Sequence, residues 1–121
     1  MDIFDRRTAQ RSDLNIVACV SEDLEHWVDV HVSDISCGGL RFKTVMRFEI
    51  GDILWFDLYI TCAMRDLKLQ VKGEVIGQLG DHDDMHIYRV EFKEISNADR
   101  INLDELVNYI QNHFEMMVCF R

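Results

Sequence analysis

Leu54-Trp55-Phe56-Asp57-Leu58-Tyr59-Ile60-Thr61 alternates residue by residue. In an extended chain successive side chains point to opposite faces, so Leu54, Phe56, Leu58 and Ile60 share one apolar face. The same period recurs on both sides of this stretch. Downstream, Leu67, Leu69, Val71, Gly73, Val75 and Gly77 interleave with Lys68, Gln70, Lys72, Glu74 and Ile76. Further on, Tyr88, Val90 and Phe92 alternate with Arg89, Glu91 and Lys93. Upstream, Leu14, Ile16, Ala18 and Val20 form one face, Val28, Val30 and Val32 the next, and Leu40 and Phe42 a third. Six half-buried strands are predicted, with turns at Gly38-Gly39, Gly51-Asp52 and Gly80-Asp81.

At Ser96 the period changes. Leu103, Leu106, Val107, Ile110, Phe114 and Met117 follow helical spacing, and Ser96 with Asp99 three residues on reads as a helix N-terminus. The predicted fold is mainly β: a six-stranded antiparallel β-barrel with a C-terminal α-helix covering an open end or an exposed sheet face. One domain is expected, with an N-terminal arm over 1–12, the barrel over 13–95 and the helix over 96–118. The 121 residues leave room for one domain of ordinary size, and no proline, repeat or low-complexity tract marks a linker.

Composition narrows the function. Thirteen basic against twenty-two acidic residues give a formal charge of −9, so broad binding of a nucleic-acid polymer through its phosphates is excluded. The four cysteines (Cys19, Cys37, Cys62, Cys119) have neither metal-knuckle nor CxxC spacing. The start of the chain lacks the layout of a signal peptide, and no stretch approaches the ~20 apolar residues of a membrane span. A cytoplasmic protein without membrane insertion is expected.

Two segments carry candidate chemistry. Arg6-Arg7-Thr8-Ala9-Gln10-Arg11 sets three guanidiniums within six residues, just before the first strand. Such a cluster is self-repulsive unless it is solvated or something anionic sits in it, and the planar fork of arginine suits phosphate and the O6/N7 edge of guanine. Val32-Ser33-Asp34-Ile35-Ser36-Cys37-Gly38-Gly39-Leu40 lies where one strand stops and the next starts. Asp34 and Ser36 either brace the turn backbone or meet a ligand, with the carboxylate accepting from an N–H. Gly38 and Gly39 would then let that ligand approach the main chain.

Together, RxxxR on an arm followed by DxSxxG about twenty-five residues on resembles the PilZ domain family of cyclic di-GMP receptors. Arg7 to Arg11 matches the first element, preceded by Arg6, and Asp34 to Gly39 matches the second. Tyr88-Arg89-Val90-Glu91-Phe92 resembles the family's last core strand, with Arg89 where a glycine is common. The resemblance implies a non-catalytic receptor that needs no cofactor beyond its ligand, cyclic di-GMP, which usually binds as an intercalated dimer. Arg7 and Arg11 would take phosphate and the guanine Hoogsteen edge, with Arg6 stacking or adding charge. Asp34 would accept from guanine, Ser36 would bond a phosphate or base, and Cys37, Gly38 and Gly39 would line the approach. The arm would reorder over the barrel on binding and signal to an unidentified protein partner in motility, exopolysaccharide or biofilm control. The alternative is a protein-interaction module of the same fold that does not use the nucleotide.

Other features are weaker. His82-Asp83-Asp84-Met85-His86 looks like a ligand set for a metal but falls in a polar loop, so no metal site is expected. Cys37 reads as a small filler rather than a redox-sensitive thiol. Met116 to Phe120 form an apolar tail that packs on the barrel or offers a partner or homodimer surface. Trp55 and Tyr59, on the polar side of their strand, are core-edge residues or a contact patch.

Overall fold

The computed structural model describes residues 15–62 and 65–113. Six strands follow in order: β1 (Asn15–Ser21), β2 (Val28–Ile35), β3 (Gly39–Thr44), β4 (Ile53–Cys62), β5 (Arg65–His82) and β6 (Met85–Glu94), then helix α1 (Asn97–His113). Every pairing is antiparallel, and the sheet closes as β1-β2-β3-β6-β5-β4 with β4 returning to β1. Closure removes the exposed edges that six separate strands would leave.

The alternation read from the sequence is what fills the interior. Leu54, Phe56, Leu58 and Ile60 of β4 stand opposite Gly73, Val71, Leu69 and Leu67 of β5. All eight positions are buried. Gly73 is small because Val90 occupies its side-chain space: a Cβ there would lie 2.4 Å from Val90 Cγ1. Phe42 meets Phe56 edge-on at 5.3 Å between ring centroids, and the Tyr88 ring lies 5.7 Å from Phe42. Phe48, from the β3–β4 connection, joins this cluster, and its N–H donates to Tyr88 Oη at 2.9 Å. That bond satisfies a phenol which would otherwise be buried at a cost.

α1 starts as its sequence predicts. Ser96 Oγ accepts from Asp99 N–H at 3.1 Å and its carbonyl from Arg100 N–H at 2.8 Å. Leu103, Leu106 and Val107 are buried in the core. Phe114 and Met117, with the tail 116–120, lie outside the described residues. No helix among the described residues is long and apolar enough to cross a membrane.

One turn is displaced from its expected place. Gly80-Asp81 is part of β5, which runs on to His82, and the chain reverses at Asp83-Asp84, with φ of 53° and 65°. Two left-handed residues form the tight hairpin whose twist suits the flanking strands. Register shifts at Lys72/Gly73, Val75/Gly77 and Gln78/Gly80 break the period-2 pattern of this long strand, and Gly80 supplies a φ of 144° at the last of them. Gly51-Asp52 turns as expected: Gly51 has a φ of 100°, and Asp52 N–H donates to Glu49 carbonyl at 3.0 Å.

Candidate functional site

A bulge in β2 sets the site. Val32 pairs with Phe42, but Asp34 pairs with Arg41, so Ser33 is the extra residue. Without it, Asp34 would follow Val32 towards the interior. With it, Ile35 faces buried Leu40, and Asp34 shares a face with Arg41. Arg41 Nε donates to Asp34 Oδ2 at 2.8 Å, and Nη2 of the same guanidinium reaches the same oxygen. The second carboxylate oxygen, Oδ1, is buried and has no hydrogen-bond partner among the described residues. The Asp34 side chain as a whole is only 3% exposed. An unsatisfied buried acceptor costs about 1–3 kcal/mol, more when it carries charge, so this oxygen is primed for a donor.

The turn after Asp34 is braced by Ser36. Its N–H donates to Gly39 carbonyl at 2.9 Å, and its Oγ accepts from Gly38 N–H at 3.3 Å. Gly38 and Gly39 differ in what surrounds them. Gly38 is exposed, and among the described residues nothing lies within 4 Å of where a Cβ would be. Gly39 is buried, and a Cβ there would lie 2.0 Å from the Val90 carbonyl oxygen. The close approach at Gly39 is therefore that of β6, while the space over Gly38 is open.

Cys37 is half-buried against the core and faces α1. Burial first, then a hydrogen bond to Asp104 and its charge, push the thiol up to about 11, although Arg100 opposes this. A thiol so raised is a poor nucleophile near neutrality. Its contact with Asp104 also joins the turn to the helix.

Two residues outside the predicted site belong to this surface, Arg41 and Arg89, the second marked in the sequence only as standing where a glycine is common. Arg41 faces Arg89 across the β3–β6 ladder, and Arg89 faces Gly77 across β6–β5. The row Asp34, Arg41, Arg89, Gly77 thus crosses four strands of the outer face. Arg89 also helps Lys93 hold the Glu91 carboxyl below its ordinary value, the Lys93 hydrogen bond being the larger effect. Only the β3–β6 register brings Arg41 and Arg89 together, and the residue pattern does not show that register. Arg6, Arg7 and Arg11 lie outside the described residues.

The remaining candidates have local partners. His86 is buried, with Nδ1 2.7 Å from Asp81 Oδ1, and Asp83 and Asp84 form the hairpin turn. Among the described residues no group of three His, Cys, Asp or Glu side chains is placed to hold a metal ion. Trp55 and Tyr59 each carry a lysine ammonium 5.5 Å from the ring centroid, Lys72 and Lys68 respectively, from the facing positions of β5.

Comparison with known proteins agrees with this architecture. Among solved structures, the Bacillus subtilis inhibitor of motility (MotI/DgrA) superposes with a TM-score of 0.71 at 16% identity. The match covers 80% of this chain and 47% of that one, so this chain corresponds to about half of that protein. At that identity the likeness is one of fold. No curated protein matches the sequence. The PilZ domain family, in contrast, matches residues 5–109, which include both RxxxR and DxSxxG, and the chain belongs to that family.

Proposed function

We propose that this chain is a non-catalytic cytoplasmic receptor for cyclic di-GMP that hands its signal to a protein partner in motility, exopolysaccharide or biofilm control. The observation that carries the reading is Asp34 Oδ1, a buried carboxylate oxygen without a donor among the described residues. Guanine N1–H and N2–H are donors of the right kind, and a charge-assisted bond to them would relieve the desolvation this oxygen suffers. Arg41 holds the other oxygen, so the carboxylate keeps its orientation before ligand arrives. Open space over Gly38 leaves the turn backbone accessible to a planar base.

In this reading Arg7 and Arg11 take the phosphates and the Hoogsteen edge, and Arg6 adds stacking or charge. Ser36 keeps its brace on the turn and turns its remaining hydroxyl capacity to the ligand. Neutralising the arginines draws the arm 1–12 over the barrel, which supplies the difference in affinity a switch requires. A thermal-shift series with cyclic di-GMP tests this. Ligand far above Kd should raise Tm by several degrees through mass action. The gain should vanish in Arg7→Ala and Arg11→Ala, and trypsin cleavage within the arm should slow only in the wild type. An unmoved Tm at saturating nucleotide removes the proposal in favour of a nucleotide-independent module.

A further inference from the structure

In an antiparallel barrel alternate connections share an end. The turn 36–38 and the entry to α1 lie at one end, and the connections 22–27, 45–52 and 83–84 lie at the other. The far-end connections touch one another. Glu22, Asp23 and His26 line one cleft with Met46 and Phe48. Gly51 N–H donates to Val75 carbonyl at 2.8 Å, and Val75 N–H to Asp52 carbonyl at 2.9 Å, which sets Ile50 and Ile53 beside Ile76.

This end is unusually apolar for a solvated one. Ten large hydrophobic side chains among the described residues are at least 36% exposed, and six of them gather here: Leu24, Val28, Val45, Ile50, Ile53 and Ile76. Val45 and Ile50, at 69% and 70%, stand almost free on one loop. Leu24 is held at a φ of 66°, which a bulky side chain adopts only at a cost, and it is still presented to water. Scattered exposed leucines are ordinary, whereas a cluster of this kind marks an interaction site.

The polar surround says what fits. Glu22, Asp23 and Glu25 flank the patch from the first connection, Glu49 from the second, and Asp83 and Asp84 from the hairpin. In the segments 22–28, 45–53 and 81–86 the one Lys or Arg is Arg47. We infer that this end of the barrel docks a protein segment whose apolar residues sit among lysines or arginines, in the manner of a basic amphipathic helix. A second copy of the chain is disfavoured, because it would bring the same carboxylates face to face. The surface lies away from the turn at Asp34 and does not depend on what that turn binds.

The test uses the full chain, labelled with ¹⁵N and without nucleotide, and a synthetic amphipathic peptide of leucine and lysine. Saturable binding is expected, with amide shifts confined to 22–28, 45–53 and 76. It should weaken by roughly tenfold or more in Val45→Ser/Ile50→Ser, whose side chains are too exposed to hold the fold. A leucine–glutamate peptide of the same pattern should not bind. Absence of binding, shifts spread over the acidic surface, or equal binding by the double variant overturns the inference. Ile50-dependent dimerisation of the wild type in sedimentation overturns it as well, by giving the surface to a second copy.

Discussion

Replacing Gly39 with alanine separates the two uses a glycine in this motif might serve, sheet packing and ligand access. An alanine Cβ at Gly39 would stand 2.0 Å from the Val90 carbonyl oxygen and 3.3 Å from Glu91 Cα, whereas ordinary contact begins at 3.4 Å. The obstacle is the β6 backbone, so the shortfall of roughly 1.4 Å must be met by parting β3 from β6. Parting them loosens the Phe92 N–H to Gly38 carbonyl bond of 2.9 Å and disturbs Leu40 and Phe42, both fully buried. Overpacking of this kind costs about 1–3 kcal/mol, and a weakened buried hydrogen bond adds about 1 kcal/mol. For a chain of this size 1 kcal/mol moves Tm by about 4 °C, so Gly39→Ala should lower Tm by roughly 8–16 °C. Gly38→Ala, with open space around its Cβ, should stay within about 2 °C. Thermal unfolding followed by circular dichroism measures both. A Gly39→Ala variant as stable as the wild type would refute the β3–β6 register and with it the alignment of Arg41 with Arg89.

Three further outcomes are expected. Arg89→Gly removes a guanidinium from the outer face without touching the core, so stability should hold within about 1 kcal/mol while affinity for cyclic di-GMP falls several-fold; equal affinity in calorimetry would take Arg89 out of the site. Asp23 is held well below the ordinary carboxylate range by the His26 backbone N–H, the His26 ring and the Glu25 N–H, and Asp81 and Glu91 are lowered too. Carboxyls lowered in the folded state contribute stability that is present above the ordinary value near 4 and lost as pH falls below it. Tm should therefore drop on acidification below about pH 4, less steeply in Asp23→Asn; an unchanged acid limb would contradict these contacts. Cys37, with its thiol at about 11, should resist iodoacetamide at neutral pH in the folded chain and react on unfolding; prompt labelling of its peptide, read by mass spectrometry, would show that the turn is not packed against α1.

The barrel was legible because period-2 alternation is a direct consequence of burying one face. Phe56 and Asp57 need no register to show which way they point. The helix start was legible for a similar reason, since Ser96 performs a local task. The end of β5 was not, because Gln78 to His82 carry no apolar alternation and the strand is held there by ladder bonds to β6 and by bulges. Asp34 stood out as a motif residue, yet its ion pair with Arg41 follows from one extra residue at Ser33. Nothing in the run Val32-Ser33-Asp34 announces that bulge. Arg89 carries no mark of its place either: its neighbour across the sheet, Arg41, is 48 positions away in sequence, and the strand register alone brings the two together.

The most direct measurement is a calorimetric titration of cyclic di-GMP into the wild type and into Asp34→Ala. Losing charge-assisted bonds worth about 1.5–3 kcal/mol should weaken binding roughly ten- to hundredfold, while circular dichroism shows the barrel still folded. Wild-type affinity in the folded variant, or no heat of binding from the wild type itself, would contradict the assignment of Asp34 Oδ1 to the ligand.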